Sequence, residues 1–172
     1  MREILFRGKR INNGEWVEGY YMKHINRTLL PINDSVEEKD VEHIIFYDAF
    51  SDWNMPRGIE GTHIDPATLG QYTGLKDKNG KWIFEGDILR WTRKNIRLIG
   101  HYAYDLHMGY NYGDVLQVVS NRAGFMLAGL KDDMLDVPNA NTKVDNYAFW
   151  NYQGSLEVIG NVWDNPELLE VD

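Results

Sequence analysis

Apolar and polar residues alternate along this chain in short runs, and no stretch holds the 3.6-residue period of a long amphipathic helix. Ile4-Leu5-Phe6 opens an apolar run that turns basic by Arg10, and a second run, Trp16 to Tyr21, follows Asn12-Asn13-Gly14. Asn and Gly tolerate positive φ, so this stretch predicts a hairpin. Thr28 to Ile32 is apolar but interrupted by Pro31, which fits at most an edge strand. Glu37 to Asp40 predicts a charged turn, and Val41 to Tyr47 a strand. Residues 48–60, punctuated by Pro56 and Gly58, read as a loop with room for one helical turn.

The second part of the chain repeats the pattern. Lys76 to Gly80 is a polar turn ending in Asn-Gly, and Trp82-Ile83-Phe84 follows it. Glu85-Gly86-Asp87 bends the chain into a strand from Ile88 to Thr92. Val115 to Asn121, Arg122-Ala123-Gly124 and Phe125 to Ala128 predict another hairpin, and Glu157 to Val162 a last strand. Asn165 to Leu169 predicts a short helix with Pro166 in its first turn. Short strands at regular spacing, separated by turn signals, predict a mainly-β protein with little helix, built as a small barrel or sandwich.

Three blocks of the sequence carry a resemblance. The central one is Gln71-Tyr72-Thr73-Gly74-Leu75-Lys76-Asp77-Lys78-Asn79-Gly80-Lys81, continued by Ile83, Phe84 and Glu85-Gly86-Asp87-Ile88. It is similar to the signature block of the YopX family of bacteriophage and prophage proteins. Arg2-Glu3-Ile4 with Phe6-Arg7, and Glu157 to Asn161 with Asn165-Pro166-Glu167-Leu168, resemble the two ends of that family. The resemblance implies an SH3-like β-barrel over residues 71–172, with an additional N-terminal β segment, a hairpin included, over residues 1–70. It implies no activity and carries no catalytic residue onto any position here. Physically the central block reads as turn chemistry, with Gly80 free to take positive φ and Trp82, Phe84 and Ile88 filling a small core. Arg97 to Asp114 and residues 131–150 match none of these blocks.

Composition narrows the classes. The chain has 172 residues, 13% of them aromatic, which suits strands. It has no cysteine, which excludes a disulfide framework, a thiolate metal site and a cysteine nucleophile. The N-terminal apolar run is far shorter than a signal peptide requires, and nothing approaches the roughly 20 apolar residues of a membrane span. A soluble, cytoplasmic protein is therefore expected, and the resemblance to phage proteins implies a bacterial host. The net charge is −8, yet residues 1–100 carry 15 basic and 15 acidic side chains, while residues 101–172 carry 3 and 11. Such an acidic C-terminal region repels phosphate, so any nucleic-acid contact belongs to the earlier part of the chain.

Two constellations stand out. Arg90, Trp91, Arg93, Lys94 and Arg97 form a basic run containing an aromatic. On a strand it would offer one cationic face, with Trp91 as a stacking platform for a base. The reading preferred to this is a solvated strand edge whose cations discourage aggregation, since the net charge of −8 steers phosphate away. Tyr102, Tyr104, Tyr110 and Tyr112 show two-residue spacing twice, so paired strands could display them together as a protein interface, or pack them over the open end of a barrel. Gly109 to Gly113 lacks a phosphate-binding lysine and reads as a loop. His101 and His107, if on one strand, stand about 20 Å apart, too far to share a metal. Asp132, Asp133 and Asp136 read as a solvated acidic loop. No catalytic residue, cofactor or metal site is predicted. The reading is a phage or prophage interaction module without enzymatic activity, binding a protein partner or itself as a homo-oligomer. The alternatives are nucleic-acid binding through residues 88–97, and an enzyme whose site the sequence does not display.

Overall fold

The first turn is built by its own backbone. Gly14 adopts φ +72, the Gly14 N–H bonds the Arg10 carbonyl at 2.9 Å, and the Asn13 side chain accepts the Glu15 N–H at 3.0 Å. In this computed structural model the turn joins β1 (Phe6–Lys9) to β2 (Trp16–Ile25), antiparallel, with Phe6 opposite Gly19 and Lys9 opposite Trp16. The structure describes residues 3–28, 35–50, 57–92, 112–121, 124–129 and 153–170. The expected edge strand at Thr28 to Ile32 falls, beyond Thr28, outside them.

The chain divides into two units, Met1–Tyr72 and Thr73–Asp172. In the first, β2 is longer than its sequence pattern suggests, because Tyr20 to Ile25 find partners on β3 (Val41–Asp48). β3 pairs in turn with β4 (Ile59–His63), the outermost strand. The expected loop over residues 48–60 is corrected only at its ends, where Asp48 closes β3 and Ile59 and Glu60 open β4, and its residues 51–56 lie outside the described ones. Ile59-Glu60-Gly61-Thr62-His63 lacks an apolar alternation, because the strand is held through its backbone to β3 and its side chains stay largely exposed. A bridge between Arg10 and Ile64 ties the end of β4 back to the end of β1. The core of this unit is Val17, Ile45 and Ile64, packed with Phe6, Tyr21, Tyr47 and Leu69.

β5 (Gly70–Lys76) pairs with β1 at Gly70 and Gln71 and then continues into the second unit, where it neighbours β6 (Trp82–Phe84). The remaining strands are β7 (Asp87–Trp91), β8 (Val115–Asn121), β9 (Gly124–Gly129) and β10 (Leu156–Asn161), in the order β10-β7-β8-β9. Leu75, Ile83, Leu89, Trp91, Leu116, Val118, Leu127 and Leu156 form their core. Helix among the described residues is confined to short 3-10 turns, one of which, Pro166–Leu169, stands where a short helix was expected.

The mainly-β expectation holds, with antiparallel sheets and little helix. The barrel closure does not appear. The described strands form two ladders in which β4, β6, β9 and β10 are each terminal, and no ladder closes on itself among the described residues.

Candidate interaction surface

The signature block is a set of backbone locks. The Asp77 carboxylate is nearly buried and accepts the N–H groups of Asn79 at 2.8 Å, Lys81 at 2.9 Å and, 81 residues away, Val158 at 3.0 Å. It thereby fastens the β5–β6 turn to β10. Burial pushes its pKa up, but these three donors outweigh burial and hold it below the ordinary aspartate value. Asp87 accepts the Phe84 N–H at 2.8 Å across the next bend. Gly86 there has φ +80, and the Trp163 ring occupies the space a β-carbon would need. Lys78 and Glu157 form an ion pair at 3.0 Å on the surface above, and the lysine's hydrogen bond keeps the Glu157 carboxyl ionised to lower pH than usual.

The basic run divides. Arg90 is exposed on β7, with Glu157 of β10 and Val115 of β8 as its cross-strand neighbours. Trp91, the stacking platform of the nucleic-acid reading, is 4% exposed and lies in the core of the second unit. Strand alternation explains the difference: Leu89 and Trp91 point to one face and Arg90 to the other. Arg93, Lys94 and Arg97 lie outside the described residues, as do Tyr102, Tyr104 and Tyr110 of the tyrosine set. Tyr112 is described and 63% exposed. His101, His107 and the acidic cluster at 132–136 are outside as well.

Two described histidines sit beside carboxylates. The Tyr21 hydroxyl and His43 Nδ1 share a hydrogen bond of 2.7 Å, with the rings stacked at 5.9 Å, and His43 Nε2 stands 3.7 Å from Glu38 Oε1. His63 Nε2 is 3.6 Å from Glu42 Oε1. Burial, then the Glu38 charge, raises the Tyr21 pKa, so its hydroxyl stays protonated. This line joins β2, β3 and the 3-10 turn Glu38–Asp40. That turn is also fastened by Arg27 Nε on Asp40 at 2.7 Å. No group of three or more His, Asp or Glu is placed to hold a metal among the described residues.

The feature not anticipated from sequence is the outer face of β2, β3 and β4. Residues directly opposite in an antiparallel pair share a face. Tyr20 opposes Phe46, Met22 opposes Ile44, and Gly61 of β4 opposes Phe46 from the other side. Tyr20, Met22 and Ile59 are 58%, 40% and 76% exposed, and Ile44 and Phe46 are half-buried. The opposite face carries Ile45 and Val17 into the core. β3 is thus apolar on both faces, and Ile44-Ile45-Phe46-Tyr47 was the signal for it, since a strand with one wet face alternates. Further along this face the Arg7 guanidinium and the Lys9 ammonium lie 4.8 Å and 5.4 Å from the Trp16 ring centroid. These cations are stacked on the unit's own aromatic ring.

An antiparallel two-unit β protein with locked turns and an exposed apolar sheet face defines a class without naming a lineage. The YopX protein family model matches residues 5–170, nearly the whole chain, and this chain belongs to that family. Among solved structures it is similar to protein EF1440 from Enterococcus faecalis, at 24% identity and a TM-score of 0.46, over 99% of this chain and 100% of that one. No curated protein matches. No helix among the described residues is long and apolar enough to cross a membrane.

Proposed function

We propose that this protein is a non-enzymatic interaction module of a phage or prophage, acting in the bacterial cytoplasm, and that it holds a protein partner on the outer face of β2–β3–β4. The observation that carries this reading is the exposure of Tyr20, Met22 and Ile59 on one sheet face whose reverse side is already the core. Aromatic and methionine side chains are enriched where protein interfaces bury apolar area, and an exposed aliphatic side chain beside them extends that area. The second unit completes the proposal as an SH3-like barrel, supported by a single apolar cluster that draws on β5 and β6 as well as on β7, β8, β9 and β10.

Nucleic-acid binding loses its aromatic platform, because Trp91 is core. It rests on Arg90 with Arg93, Lys94 and Arg97, and Arg90 has the carboxylate of Glu157 beside it. The test is capture from bacterial lysate on the immobilised chain, with and without nuclease. A protein recovered equally in both supports the module. Recovery that vanishes with nuclease, together with salt-dependent retention on DNA, contradicts it and transfers the function to Arg90 and its neighbours.

A further inference from the structure

We infer that β4 is a self-pairing edge and that two copies of this chain join there, antiparallel, about a two-fold axis at Ile59. The inference rests on the interaction reading above and names one partner for it, a second copy. It starts from the hydrogen-bond phase of β4. The Ala49 N–H bonds the Gly58 carbonyl and the Ile64 N–H bonds the His43 carbonyl, each at the length of a normal bond. With Asp48 opposite Ile59 and Ile44 opposite His63, these bonds turn the backbone groups of Glu60 and Thr62 toward β3. Those of Ile59, Gly61 and His63 therefore face outward. The His63 carbonyl is taken by the Ile11 N–H at 3.1 Å, and the Arg10–Ile64 bridge occupies that end of the edge. Ile59 and Gly61 are left with N–H and carbonyl groups pointing at solvent, both residues being exposed. An open edge of this kind is a template for a further strand.

The side chains select the occupant. Because the His63 end is occupied, the described part of the edge open to an incoming strand is residues 57–61. An antiparallel second copy satisfies that limit with Ile59 opposite the partner's Ile59 and Gly61 opposite the partner's Arg57. The first contact sets a side chain that is 76% exposed against its own copy. The second follows from Gly61 having no side chain: the Phe46 ring leans across the strand, with Cε1 2.9 Å from where a β-carbon would stand. The ring therefore lies over Gly61, beside the position of the incoming Arg57. Arg57 is 73% exposed and, among the described residues, is paired with Asp48 at 3.7 Å, on the same face. A guanidinium over that ring is a cation–π contact, made twice by symmetry. The edge is thus complementary to itself in hydrogen bonds, in apolar surface and in charge-to-ring pairing.

The chain has no cysteine, so one introduced thiol reports the geometry without background. Paired Cα atoms at the axis stand about 5.5 Å apart, within disulfide reach. Under mild oxidation the full-length Ile59→Cys variant is expected to form a covalent dimer. Arg57→Cys, four residues off its own copy in this register, is expected to remain uncrosslinked. Sedimentation of the cysteine-free chain is expected to give a dimer, Ile59→Lys a monomer with unchanged circular dichroism, and Arg57→Glu a dimer weakened about tenfold. A wild-type monomer at the highest soluble concentration overturns the inference, while nuclease-resistant capture of another protein would still sustain the interaction reading. A dimer that survives Ile59→Lys, or crosslinks through Arg57→Cys and not Ile59→Cys, also overturns it.

Discussion

Asp77 shows how one side chain can be mistaken for chemistry. A nearly buried carboxylate with a lowered pKa, in the most distinctive block of the sequence, has the outward marks of a functional acid. Its three partners are all backbone N–H groups, and they hold together a turn and a strand 81 residues apart. Asp77→Ala is therefore expected to cost about 2–4 kcal/mol, from the loss of charge-assisted bonds and the donors left unpaired. The sign of its pH dependence follows from the direction of the shift. Its folded pKa lies below the ordinary 3.8, so its contribution is present at neutral pH and lost as pH falls below that value through the folded pKa. Urea titrations between neutral and acid pH check this: Asp77→Asn should flatten the acid limb of stability relative to the natural chain. An unchanged limb would remove Asp77 from the lock.

Between elements, the tight turns were the most legible part of the sequence. Asn13-Gly14 and Gly80 mark turns whose glycines take positive φ, and Glu85-Gly86-Asp87 marks the bend into β7. The Gly86 requirement is double, for its φ is +80 and the Trp163 ring sits over it. Gly86→Ala should cost about 1–2 kcal/mol from the backbone alone and more from displacing the ring. Thermal melts of a double-mutant cycle test this, because the penalty should shrink in a Trp163→Ala background. Equal penalties in both backgrounds would mean that the ring and the glycine are independent. That contact was not legible, since Gly86 and Trp163 lie far apart in sequence. β4 was missed for a different reason: Glu60, Gly61 and Thr62 have no strand pattern, and the strand exists because β3 supplies a partner. Strand alternation separates Trp91 from Arg90 in the sequence, but it does not say which of the two faces meets the core, and it is the Trp91 face that packs there.

At the scale of the whole molecule, the class of fold followed from short runs and turn residues, and family membership followed from three blocks that span the chain. The proposed binding surface did not. An exposed apolar face is invisible in a sequence until pairing is known, because Tyr20, Met22, Phe46 and Ile59 sit on three different strands. The exposure of Tyr20, Met22 and Ile59, and not any polar constellation, gives this protein its proposed role. The most direct test is parallel capture of bacterial proteins, after nuclease treatment, by the natural chain and by a Tyr20→Lys/Met22→Lys variant of matched thermal stability. Recovery of a defined protein by the natural chain and its loss with the variant is the predicted result. Equal recovery by both would contradict the assignment of this face as the binding surface.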